Sequence, residues 1–177
     1  MSDIKEILTK YKSIAMIGVS NDATKPSTIV MKYMQKYGFK VYPVNPSAKG
    51  QKILGENVFA KITDIKDSVG IVDVFRPSKE ALDIARDTIA IGAKVLWLQL
   101  GIRSEVAKKI VETNQIKYVE DKCTKMEYQR HFLKIRQAFP VLKKQDWSSF
   151  FLLPKLDDNS HLYFFELMIF LNLTHLL

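Results

Sequence analysis

The sequence predicts an α/β protein built on one three-layer, doubly wound parallel sheet over residues 1–135. Three observations carry that expectation. Short apolar runs of strand length lack the in–out alternation of a half-exposed strand, the pattern of strands buried on both faces. These runs alternate with amphipathic segments of 10–14 residues, long enough for the crossover helices that join parallel strands. At 177 residues and 47% apolar content, the chain fits one globular domain with a remainder.

The elements follow in order. Residues 3–11 read as a short leading helix, and Ser13 to Val19 as the first buried strand. After the polar loop Ser20 to Pro26, a helix runs from Ser27 to Tyr37 with Ile29, Val30, Tyr33, Met34 and Tyr37 on one face. Ser27 is placed as its N-cap and Gly38 as its C-terminal stop. Lys40 to Val44 is the second strand, closed by Asn45-Pro46. Residues 47–68 read as irregular, broken at Gly50 and Gly55, with a short strand at Val58-Phe59. Val69 to Phe75 is the next strand, Ser78 to Ile91 a helix stopped by Gly92, and Lys94 to Leu100 a strand. Ser104 to Thr113 is a helix, Ile116 to Glu120 the last strand, and a final helix runs from Thr124 past His131. The layering is that of a Rossmann-like sheet with helices on both faces.

Charge narrows the partners. The net charge is +8; one lysine and three acids fall beyond Trp147, leaving +10 on residues 1–147. Such a balance favours an anionic partner, nucleic acid or polyphosphate, unless the lysines are only a solvated surface. No basic run interleaved with aromatics and no zinc-finger or RNA-recognition signature is present, which argues against nucleic acid. A single cysteine allows no intramolecular disulfide and suits a reducing compartment. The amino terminus does not read as a signal peptide, so a cytoplasmic location is expected.

Ligands of open parallel sheets bind outside the carboxyl ends of the strands, where strand order reverses. The first end offers Gly18-Val19-Ser20 and then Lys25-Pro26-Ser27 at a helix start, where free N–H groups and the positive helix end favour a phosphate. A plain strand–turn–helix junction with a capping serine explains the same residues, since two of the three glycines of the dinucleotide fingerprint are missing. The second end carries Asn45-Pro46, with Lys49 and Lys52 beyond, where NAD enzymes place an acid. NAD is disfavoured; NADP and coenzyme A both carry a ribose phosphate that suits lysines. The remaining ends are Phe75-Arg76-Pro77, Gln99-Leu100-Gly101 and Asp121-Lys122-Cys123.

Six blocks, in order, then resemble one family. They are Ile17 to Ser20, Lys25 to Ser27, Tyr42 to Pro46, Val72 to Arg76, Trp97 to Gly101, and Asp121 to Cys123. Residues 13–132 look like the stand-alone CoA-binding proteins, whose domain is similar to the amino-terminal domain of the succinyl-CoA synthetase alpha subunit. The resemblance implies coenzyme A or an acyl-CoA lying across the strand ends. Its pyrophosphate would sit over Gly18, Ser20, Lys25, Pro26 and Ser27, its adenosine near Asn45 and Pro46, and its pantetheine arm along Phe75, Arg76 and Gln99, with Gly101 also among the binding residues. On chemistry, Phe75 is an apolar wall or plain core, and Arg76 a phosphate-seeking cation or the partner of a neighbouring acid. Gln99 offers a donor and an acceptor to pantetheine amides, and a buried amide needs partners in any case.

His131, His161 and His175 lie away from every strand end, and no metal-ligand spacing, P-loop or Ser-His-Asp set is legible. Binding without catalysis is the leading expectation, and an NADP-dependent reductase on the same edge is the alternative. Cys123, between Lys122 and Lys125 at a helix start, reads either as a thiol of lowered pKa within reach of CoA or as a small buried residue. Residues 136–177 form a carboxyl extension that ends in the largely apolar Leu162 to Leu177, interrupted by Glu166. That stretch is short for a membrane span. A helix packed on the domain or on a second copy, an interfacial helix and a non-native extension all remain open for it.

Overall fold

The computed structural model describes residues 4–133. Helix α1 (Ile4–Lys10) precedes strand β1 (Ser13–Ile17), α2 (Pro26–Lys36) and β2 (Lys40–Val44). A small hairpin follows, β3 (Lys52–Ile53) with β4 (Glu56–Asn57), and then β5 (Ile71–Val74), α3 (Ala81–Ala90) and β6 (Val95–Leu98). The order closes with α4 (Glu105–Thr113), β7 (Lys117–Val119) and α5 (Thr124–Phe132). The main sheet has five strands, all parallel, in the order β2-β1-β5-β6-β7. It is the expected α/β, Rossmann-like sheet. The carboxyl extension and the boundary expected at residue 135 lie outside the described residues.

Alternate strand residues feed two cores. Ile14, Met16, Ile71, Val95 and Trp97 pack with Ile7, Leu8, Met31 and Met34 on one face. Ala15, Val72, Val74, Leu96 and Leu98 pack with Ala81, Ala85, Ala107 and Val111 on the other. So α1 and α2 cover one face and α3 and α4 the other; α5, through Tyr128, joins the first. Each large apolar side chain so enclosed contributes roughly 1.5–3 kcal/mol. Trp97 is fully buried, and its indole N–H donates to the Lys122 carbonyl at 2.6 Å, so the ring enters the core without an orphan donor.

Four local expectations need correcting. Ser27 does not cap α2; Lys25 is the N-cap without a side-chain bond, because Pro26 takes the first helical position and moves the helix start upstream. Gly38 does close α2, at φ +81°, with its N–H on the Gln35 carbonyl and that of Phe39 on the Met34 carbonyl. The stretch 47–68 is more ordered than irregular: besides the β3–β4 hairpin, short 3₁₀ turns span Pro46–Ala48 and Ile62–Asp64. Phe59 forms one isolated parallel bridge to Val44 in place of the strand expected at Val58-Phe59. The helix expected from Ser78 opens as a 3₁₀ turn over Ser78–Glu80 and becomes α-helical at Ala81.

Candidate functional site

The chain leaves β1 for β2 on one side and returns to β5 on the other, so strand order reverses between β1 and β5. In sheets of this type the ligand crevice lies there, beyond the carboxyl ends. The five strand ends singled out in the sequence are adjacent along this edge, and direct contacts tie each to the next.

Between β2 and β1, Asn45 Nδ2 donates to the Val19 carbonyl at 2.8 Å, while its Oδ1 accepts from the Ser47 N–H at 3.0 Å. Asn45 thus fixes the spacing of two ends, and Pro46 opens the 3₁₀ turn behind it. Between β1 and β5, Gly18 lies at φ +89°, where a Cβ would stand 2.9 Å from the Phe75 carbonyl oxygen and 3.0 Å from Arg76 Cδ. Only glycine lets the two ends approach so closely.

The loop from Gly18 into α2 is held by its own hydroxyls. The Ser20 N–H donates to Ser27 Oγ at 3.3 Å, Thr28 Oγ1 donates to the Ser20 carbonyl at 2.7 Å, and the Asp22 N–H donates to Ser20 Oγ at 3.1 Å. The N–H groups of Val19, Asn21 and Ser27 meet no acceptor among the described residues. Lys25 and Pro26 are exposed at the helix start, and Ser27 is buried. The loop is an ordered set of donors at the positive end of an 11-residue helix.

At the β5 end, Phe75 packs against the core and remains partly exposed. Arg76 is exposed and pairs with Glu80 through two bonds of 2.9 Å. The Glu80 carboxylate raises the guanidinium pKa, and Arg76 in turn lowers that of Glu80. Of the two roles open to Arg76 in the sequence, the ion pair is the one formed. At the β6 and β7 ends, the Gly101 N–H donates to Asp121 Oδ1 at 2.7 Å, and Arg103 bonds the other oxygen. These two bonds hold the Asp121 carboxyl below its ordinary range.

Gln99 needs a correction. Its Nε2 is committed inward, to Asp73 Oδ1 at 2.8 Å, Asp73 Oδ2 at 3.0 Å and Thr124 Oγ1 at 2.8 Å. Thr124 Oγ1 itself donates to Asp73 Oδ2 at 2.9 Å. The donor expected for a ligand is therefore taken, and the acceptor alone remains. Asp73, fully buried in β5, is the residue the sequence reading passed over. Burial pushes its carboxyl up to about 7, against the pull of Gln99, Thr124 and the Val74 N–H. An acid inside Ile71-Val72-Asp73-Val74 was the available signal, since a buried strand carries a carboxylate only where partners await it.

Cys123 is corrected as well. It is 5% exposed at the N-cap position of α5, and burial raises its thiol pKa above the ordinary value, outweighing Lys125 and nearby N–H groups. The lysines do not produce a stabilised thiolate. Lys49 and Lys52 stand exposed beyond the β2 end, and His131 lies on α5, 3.5 Å from Glu127. At the opposite edge of the sheet, a shallow cleft is lined by Lys66, Asp67, Ser68, Val69, Ala90 and Ile91. No helix among the described residues is long and apolar enough to cross a membrane.

A family model described as a CoA binding domain matches residues 12–129. The uncharacterized protein YneT of Bacillus subtilis is 32% identical over 127 residues, which span 72% of this chain and 93% of that protein. An ADP-forming acetate–CoA ligase II of Archaeoglobus fulgidus is 34% identical over 85 residues, or 47% of this chain but 12% of the ligase. A solved structure from Thermus thermophilus superposes with a TM-score of 0.71 at 34% identity, covering 73% of this chain and 97% of that one.

Proposed function

This chain belongs to the CoA binding domain family, and we propose that it holds coenzyme A, free or acylated, along the carboxyl edge of its sheet without catalysing a reaction of its own. The observation that carries this reading is the close approach of Gly18 to Phe75 and Arg76, which brings a donor-rich loop against a part-apolar strand end at the point of strand reversal. The pyrophosphate lies over residues 18–27, met by unpaired N–H groups and the start of α2. The adenosine lies by Asn45 and Pro46, with its 3′-phosphate toward Lys49 and Lys52. The pantetheine arm crosses Phe75 toward Gln99, Gly101 and Cys123.

Calorimetric titration with CoA, acetyl-CoA and NADP tests the reading. The expected result is one CoA or acetyl-CoA per chain and no heat from NADP. Binding of NADP with none of CoA would overturn it and turn the same edge toward nicotinamide chemistry.

A further inference from the structure

Asp73, Gln99 and Thr124 are buried and hydrogen-bond to one another. Gln99 has two N–H bonds to give, and both go inward, to Asp73 and Thr124. Thr124 gives its hydroxyl proton to Asp73. Every donor in the triad is thus spent inside it, one amide N–H and the threonine hydroxyl on Asp73 and the other amide N–H on Thr124, and the ionised carboxylate donates nothing. Gln99 Oε1 accepts no hydrogen bond from the described residues, yet it is not among the sealed, unpartnered atoms; it reaches solvent at the end of β6. An amide is nearly symmetric in shape, so only its partners decide which end faces out. Here the acid decides it, since in its ionised form it can only accept.

We propose that Asp73 is a positioning residue that turns the Gln99 amide nitrogen inward and its carbonyl outward, so that this strand end selects a ligand carrying an N–H donor, such as a secondary amide of a pantetheine arm. This rests on the CoA reading given above. The groups around Asp73 are Met16 of β1 and Trp97 of β6 across the register, and Cys123 and Thr124 at the start of α5. Cys123 is the titratable one, and no cation pairs with Asp73 among the described residues. When Asp73 takes up a proton it becomes a donor as well as an acceptor, so it no longer holds the amide nitrogen inward, and the turned amide would present nitrogen, the wrong group for an amide N–H.

The test titrates wild type, Asp73→Asn, Gln99→Ala and the double variant with CoA and with adenosine 3′,5′-bisphosphate, which lacks the pantetheine arm. Asp73→Asn is expected to weaken CoA binding about five- to tenfold, the worth of one hydrogen bond to a neutral group. Its affinity for the bisphosphate stays unchanged, and it has no further effect in the Gln99→Ala background. CoA affinity of wild type also falls more steeply from pH 8 to pH 6 than that of Gln99→Ala. The ligand phosphates titrate alike with both proteins, so the difference isolates the triad. Equal CoA binding by Asp73→Asn and wild type overturns the proposal and leaves the CoA reading standing. Wild type that binds neither ligand overturns both. Should Asp73→Asn not fold, parallel pH profiles for wild type and Gln99→Ala overturn the positioning role on their own.

Discussion

Gly18 is where two strand ends meet, and its backbone at φ +89° with the Phe75 carbonyl 2.9 Å from any added Cβ leaves no room for a side chain. Gly18→Ala is expected to cost about 1–3 kcal/mol, the range for a residue forced into such a conformation, and to loosen ligand binding by parting the ends. A denaturant midpoint equal to that of wild type would contradict that packing. Arg76 raises a different question, because its charge is shared with Glu80. If a ligand phosphate competes for the guanidinium, Glu80→Gln tightens CoA binding by about two- to fivefold, since an exposed pair is worth at most about 1 kcal/mol. Unchanged affinity would remove Arg76 from the phosphate site. Asp73 makes a prediction about stability. Its folded pKa of about 7 lies above the ordinary 3.8, so between those values the folded chain keeps a proton that the unfolded chain has released. Asp73 therefore makes stability fall as pH rises from about 4 to about 7, with no further change beyond. Denaturation at about pH 5 and pH 8 should show a smaller difference in Asp73→Asn than in wild type; identical differences would mean that Asp73 titrates normally. Only part of this was legible residue by residue. Gly18, Gln99 and Cys123 stood out by their places at strand ends, whereas Asp73 acquires meaning from partners 26 and 51 positions away.

The strands were the most legible elements, because a strand buried on both faces must be apolar throughout and β1, β5 and β6 are nearly so. Their crossover helices were legible by apolar spacing, and Gly38 and Ser104 mark real ends: Ser104 accepts from the Ala107 N–H as the cap of α4. Ser27 misled because a serine after a proline has the chemistry of a cap, but the proline ring fits the first helical turn and shifts the start. The β3–β4 hairpin escaped notice because two-residue strands carry no periodicity, and its turn places Leu54 at φ 48°, a conformation that residue rarely announces. In the proposed placement of CoA that hairpin bears on function, since it and the preceding 3₁₀ turn carry Lys49 and Lys52 beyond the β2 end. Dephospho-CoA is accordingly expected to bind more weakly than CoA, and by a margin that shrinks with added salt because both lysines are exposed. Equal affinities at low salt would mean that the 3′-phosphate points to solvent and that these lysines are plain surface charge.

At the scale of the molecule, topology does what no single block can. Five strand ends spread over more than 100 positions of sequence, from Gly18 to Cys123, become neighbours because every strand is parallel and every crossover returns the chain to the same starting edge. The basic surplus belongs to this half of the account, since a polyanion is drawn to a surface of net charge +8 whichever lysines it finally touches. The two edges of the sheet give the sharpest contrast. The carboxyl edge holds the tied strand ends, and the opposite edge holds the cleft around Lys66, Asp67 and Ser68. Amide chemical-shift mapping of the whole chain during a CoA titration compares them in one experiment. The expected shifts fall on residues 18–28, 45–52, 75–76, 99–101 and 121–124, with residues 66–69 and 90–91 unmoved. Shifts confined to the opposite edge, or none at saturating CoA, would contradict the assignment of this sheet edge to coenzyme A.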